Sequence, residues 1–180
     1  MSVWKPSVTV AAVIERQGKF LLIQERIGGR LVLNQPAGHL DPGESLAAAC
    51  RREVMEETAH HFEPTALVGI YRWRDPKKDF TFLRFAFRGN VGAAENRPLD
   101  KEIVGVHWLT PDELRQRTAE HRSPLVQKCV DDFLAGRHYP LEVLSSAFQR
   151  KSSSECRAGW IRRSPRSLLS APGTRSSACS

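Results

Sequence analysis

The residues best placed to do chemistry lie within one short run. Gly38 is followed after five residues by Glu44, after seven more by Arg52-Glu53, and then by Glu56-Glu57. Hard divalent cations take oxygen ligands, and Mg²⁺ typically binds one or two carboxylates together with substrate phosphates. Residues three and four apart share one face of a helix, so Glu53, Glu56 and Glu57 converge if residues 44–58 are helical. On a wheel of about 100° per residue, Leu46, Ala49 and Cys50 define the apolar stripe. Glu53 and Glu57 continue that stripe and Glu56 lies at its edge, whereas Ala48, Arg51 and Met55 project to the opposite side. Acids on a solvated face would lie with Arg51. Carboxylates on the core-facing side repel one another and lose solvation unless a cation offsets them.

The surrounding elements must hold that cluster. Ser7–Ile14 is β-branched and apolar, as a central strand would be. Gln17-Gly18 marks a turn, and Lys19–Glu25 reads as a strand closing a hairpin. Gly28-Gly29 breaks it, and Leu31–Leu33 is a short strand leading to the glycine. Asp41-Pro42-Gly43 is turn chemistry ahead of a helix running from about Glu44 to Thr58. Strands follow at Thr65–Trp73, Phe80–Arg88 and Ile103–Trp108, with a loop over Pro98–Glu102. Pro111 opens one helix in a normal first-turn position, and Ser123-Pro124 opens a last one ending near Gly136.

The spacing from Gly38 to Glu57 resembles the Nudix box. Gly38, Glu44, Arg52, Glu53, Val54, Glu56 and Glu57 match it, whereas Ala59 and His60 replace its terminal glycine and apolar residue. A glycine there suits a left-handed helix cap, so alanine is expected to strain that turn. Four further segments, Asn34–Leu40, Phe82–Phe85, Arg122–Val126 and Tyr139–Glu142, resemble the NudJ group of bacterial phosphatases, with Leu33 where that group has tryptophan. The resemblance implies an α/β Nudix fold, a mixed β-sheet sandwiched between α-helices in a single domain over residues 1–148. It implies a Mg²⁺-dependent hydrolase, with Mn²⁺ as a substitute metal, acting on a small-molecule pyrophosphate. In the NudJ group the substrates are nucleoside tri- and diphosphates and thiamine-pathway pyrophosphates such as hydroxymethylpyrimidine pyrophosphate, with release of phosphate. Other readings are a Nudix hydrolase of nucleotide sugars or dinucleotides, and a non-catalytic nucleotide-sensing module. The intact set of box carboxylates argues against the last.

By the same resemblance the metal ligands are Glu56 and Glu57, helped by Glu53 and the backbone oxygen of Gly38, while Arg52 orients the glutamates and Glu44 supports the loop. Glu53 is the first candidate for the base and Glu102 the second; a surface charge beside Lys101 is an equal reading of Glu102. Candidate substrate contacts are Asn34, Gln35, His39 and Arg84, with loop fixation as the alternative for the first three and pairing with an acid for Arg84.

Charge is unevenly spread. Of 27 Lys/Arg and 20 Asp/Glu, residues 150–180 hold seven and one, leaving 20 and 19 in the other 149 residues. The segment 149–180 is Ser/Arg-rich with little apolar pattern and is expected to be a disordered tail, binding nucleic acid at most weakly and non-specifically. No run of about 18 apolar residues and no secretory signal pattern is present, and the four cysteines form no C-x-x-C pair. A cytoplasmic monomer without membrane association is expected.

Overall fold

The computed structural model describes residues 4–76 and 79–145; the basic segment expected to be a tail lies outside them. Strand β1 (Ser7–Ala12) is the centre of the architecture. It pairs in parallel with β7 (Phe80–Ala94) and antiparallel with β5 (Ala37–His39). The long strand β6 (His60–Asp75) completes this mixed sheet, whose order is β5-β1-β7-β6. A second sheet is built around β3 (Lys19–Ile27), which is antiparallel to β2 (Glu15–Arg16), β4 (Arg30–Asn34) and β8 (Ile103–Leu109).

Side chains alternate between the faces of a strand, and β1 uses both. Val10 and Ala12 pack with Ala49, Cys50 and Val54 of helix α1 (Leu46–Thr58). Ala11, and Val13 just beyond the strand, pack with Leu114 of α2 (Pro111–Gln116) and with Val126, Cys129 and Val130 of α3 (Leu125–Leu134). A strand buried on both faces reads as the uninterrupted apolar run seen in the sequence. The result is the expected layering of helices on both sides of a mixed sheet.

The hairpin differs from expectation. Lys19 and Phe20 pair with Arg16 and Glu15 rather than with β1. The chain changes sheets just before this turn: the Val13 N–H bonds to Phe87 in the first sheet, while the Ile14 carbonyl accepts from Leu21 in the second. Strand β5 was not anticipated, being three residues long and centred on glycine. Strand β6 begins earlier than expected because Ala59 reverses the chain in one residue. Its φ of 59° and ψ of 12° are left-handed, and its N–H bonds to the Met55 carbonyl. Helix α2 is closed by a capping box, with Thr110 and Glu113 bonding to each other's backbone N–H. Among the described residues no helix is long and apolar enough to cross a membrane.

Candidate active site

Helix α1 starts at an N-cap, Ser45, whose hydroxyl accepts from the Ala48 N–H, and delivers its acids toward the edge strand β5. Glu53 and Glu57 are each only 8% exposed. Glu57 accepts the Ala37 N–H at 2.7 Å. Burial pushes its carboxyl up to about 9 against that hydrogen bond, and the charges of Glu53, Glu25 and Asp100 push the same way. Burial also raises Glu53, opposed by a hydrogen bond from Arg52 and helped by the charges of Glu56 and Asp100.

Gly38 makes this geometry possible. A Cβ there would lie 2.1 Å from Glu53 Oε1 and 2.3 Å from Oε2, so the carboxylate occupies the volume that any side chain would fill. This glycine is required for space rather than for its φ.

Arg52 ties the loop to the helix. Its Nη2 donates to the His39 carbonyl at 3.0 Å and to Glu44 Oε1 at 2.7 Å, and Nε donates to Glu44 Oε2 at 3.2 Å. Its Nη1 bridges Glu53 Oε1 at 2.7 Å and Glu56 Oε2 at 3.2 Å. These contacts hold the Arg52 proton more tightly than usual, Glu44 contributing most, and hold Glu44 below the usual carboxylate range.

The ligand set expected from the sequence, Gly38, Glu53, Glu56 and Glu57, is not gathered around one point. Among the described residues no three His, Cys, Asp or Glu side chains form a metal-holding group. Arg52 sits between Glu53 and Glu56 instead. Glu57, by contrast, makes no ion pair among the described residues and meets only an amide hydrogen. A buried carboxylate without a cation is costly when ionised, so the donor set fits a divalent ion that Glu57 and Glu53 would hold.

A cleft of about 270 Å³ opens in front of these acids, bordered by Gly38, Glu53, Glu57, Asn34, Trp73 and Arg84. Arg84 is 8% exposed, with Nε and Nη1 lacking hydrogen-bond partners. Thr9 and Arg84 are register partners on the face of the first sheet that meets α3. Asn34 is buried at the cleft with Oδ1 unpartnered, and His39 lines it while remaining exposed. Gln35 does not line it; its Nε2 donates to the Val126 carbonyl at 2.7 Å and so anchors α3.

Glu102 is exposed and absent from the cleft walls, and its carbonyl accepts the Arg26 N–H. Of the loop acids it is Asp100 whose charge reaches Glu53 and Glu57, and its N–H bonds to the Glu56 carbonyl. Only Glu102 was expected from the sequence, since spacing does not distinguish two acids two residues apart in a loop. The pairing of Glu25 with Arg122 was not anticipated either: they are 97 positions apart, and Arg122 Nη1 donates to both Glu25 oxygens at 2.8 and 2.7 Å.

Buried acids set in one cleft with a buried arginine suit a phosphorylated substrate, and the matches to known proteins agree. The family model described as "NUDIX domain" matches residues 4–129, and the chain belongs to that family. It is 38% identical over 142 residues to Phosphatase NudJ of Escherichia coli K12, covering 78% of this chain and 92% of that protein, and equally so to Phosphatase NudJ of Shigella flexneri. A NUDIX hydrolase from Nitrosomonas europaea superposes with a TM-score of 0.78 at 51% identity, covering 79% of this chain and 97% of the other. A MutT NUDIX hydrolase from Burkholderia pseudomallei, at 20% identity and a TM-score of 0.62 over 72% and 98% of the chains, shares the fold. The protein is thus a Nudix hydrolase homologous to phosphatase NudJ, an enzyme of phosphorus-anhydride hydrolysis.

Proposed function

We propose a Mg²⁺-dependent phosphatase, with Mn²⁺ as a substitute, that removes phosphate from nucleoside tri- and diphosphates and thiamine-pathway pyrophosphates. The observation that carries the reading is Glu57, a buried carboxylate without an ion pair among the described residues, set beside a second buried acid, Glu53, in a cleft that also holds a buried arginine. Glu57 and Glu53 would hold the metal, with Glu56 and the Gly38 carbonyl joining them once Arg52 yields its bridge. A bound divalent ion neutralises phosphoryl charge and lowers the pKa of attacking water.

The chain's own groups supply the rest. Glu53, raised above the usual range by burial, is the first candidate to take the proton from water. Asp100 is preferred to Glu102 as the assisting loop acid. Arg84 and Asn34 supply free donors and an acceptor to the substrate, and His39 borders its entry. Arg52 orients the acids and Gln35 the α3 wall. The reading places a monomeric enzyme in the cytoplasm, where the buried thiols of Cys50 and Cys129 stay reduced, with the domain ending near residue 148 and a tail that takes no part.

The test is orthophosphate and pyrophosphate release, measured separately, from GTP, GDP, thiamine pyrophosphate, hydroxymethylpyrimidine pyrophosphate and ADP-ribose in Mg²⁺. Orthophosphate from the first four is expected, falling by at least roughly 100-fold in Glu57→Gln, and falling in Asp100→Asn but not in Glu102→Gln. Turnover of ADP-ribose alone would point to a nucleotide-sugar type of hydrolase. Tight binding without turnover would point to a sensing module.

A further inference from the structure

We propose that Arg122 is a substrate-anion-binding residue acting beside Arg84, and that Glu25 is the positioning residue that aims it. The proposal rests on the hydrolase reading above and names how the cleft holds the anionic part of the substrate away from the acids.

Arg122 borders the same cleft as Arg84, Trp73 and Phe82, and with Trp73 and Ser123 it also borders a neighbouring hollow of about 480 Å³. Its side chain is 42% exposed, whereas the Glu25 side chain is 7% exposed. Among the described residues both hydrogen bonds to Glu25 run through Nη1. Nη2 and Nε remain for a ligand. The usual two-nitrogen fork on a carboxylate is therefore not used here, and the unused side of the fork can take a phosphate.

Two features set this arrangement apart from a stabilising ion pair. The register of β3 against β8 shifts between Gln24 and Glu25, and bulges of this kind re-aim a side chain. The backbone at Arg122 is fixed as well, its N–H bonding to the Leu33 carbonyl at 2.9 Å. Both ends of the Arg122 side chain are thereby held, which limits the ordering cost of binding. Arg84 supplies the independent observation: a guanidinium more than nine-tenths buried, with two donors unpartnered, in the same cleft. Burial disfavours its charge most and the Arg122 charge adds to that, while Cys129, Glu25 and Glu57 act the other way. Glu25 is hydrogen-bonded to Arg122, whereas among the described residues no carboxylate bonds to Arg84, which the charges of Glu25 and Glu57 favour without contact, so the unpartnered donors of Arg84 suit an anion. Ser123 Oγ and Thr9 Oγ1, both buried at the cleft and unpartnered, provide further hydrogen bonds to its oxygens.

The experiment measures binding of inorganic pyrophosphate in EDTA by calorimetry, so that neither metal nor turnover enters. Wild type and Glu57→Gln are expected to bind, and Arg122→Ala to bind at least roughly tenfold more weakly, as for loss of a charged hydrogen bond. Glu25→Gln is expected to weaken binding less than Arg122→Ala, and not at all in an Arg122→Ala background. With a turned-over substrate, Arg122→Lys is expected to raise KM while kcat holds. If Arg122→Ala does not fold, the Glu25→Gln/Arg122→Met double variant removes the buried pair together and takes its place. Pyrophosphate affinity unchanged within about twofold in the folded variant would overturn the proposal. Anion binding in EDTA by an inactive protein would instead leave the arginine pair standing and count against the hydrolase reading.

Discussion

Glu57→Gln should stabilise the metal-free protein, by an amount that grows with pH. The folded carboxyl titrates at about 9 against an ordinary 4.5, chiefly through burial. Between those values the folded state holds a proton that the unfolded state has released. Stability from this group is therefore complete below pH 4.5 and is lost progressively as pH rises toward 9. At pH 7 the interval above 4.5, at about 1.36 kcal/mol per pH unit, gives a penalty of about 3 kcal/mol; the amide escapes it while still accepting the Ala37 N–H. Urea denaturation in EDTA at pH 5 and pH 8 reads this directly. With a slope of about 2 kcal/mol/M, the variant's midpoint should exceed that of wild type by about 1–2 M at pH 7 and nearly coincide with it at pH 4.5. Saturating Mg²⁺ should close the gap by stabilising wild type alone. A difference between the two proteins that stays constant from pH 5 to pH 8 would refute the argument, since it would mean that Glu57 titrates alike in both states.

Two further substitutions test separate parts of the site's construction. Gly38→Ala places a methyl 2.1 Å from Glu53 Oε1 without backbone strain, so the carboxylate must swing away from Arg52; activity should fall roughly 100-fold, the scale of a 1 Å misplacement, while the thermal midpoint moves little. Ala59→Gly relieves a left-handed residue that costs about 1–2 kcal/mol, offset by about 0.4–1 kcal/mol of added chain entropy; chemical denaturation should show a net gain of about 0.5–1 kcal/mol with kcat unaltered.

The sequence carried the local part of this site because its geometry is helical. One periodicity placed Glu53 and Glu57 on the buried side of α1 and Arg51 on the exposed side, as the structure has them. The strained cap at Ala59 was legible for the same reason, being a departure from a fixed spacing. What depends on pairing distant strands was not legible. The two-sheet division turns on where the chain leaves the first sheet: Val13 still bonds to Phe87 whereas Ile14 and Arg16 meet β3, and one apolar run does not mark that change. That the charge of Asp100 reaches Glu53 and Glu57 turns on how a loop lies over α1. Glu25 looks like the polar end of a strand until a register shift and an arginine from a distant loop explain its burial. Gln35 was read as a substrate contact or a loop-fixing residue from its place beside the box; its Nε2 donates to the Val126 carbonyl of α3 while its Oε1 is unpartnered.

The acids and the arginine that braces them come from one continuous stretch, residues 38–57. The groups that face them across the cleft come from scattered places: Thr9, Asn34, Trp73, Phe82, Arg84 and Arg122. Heritable change therefore acts on the two walls in different ways. An alteration within the continuous stretch disturbs several reactive contacts together, because Arg52 joins them. An alteration on the opposite wall changes one contact at a time and leaves the hydrolytic set in place. A lineage built on this plan can drift from one phosphorylated metabolite to another by single steps, each intermediate still able to cleave a phosphoanhydride.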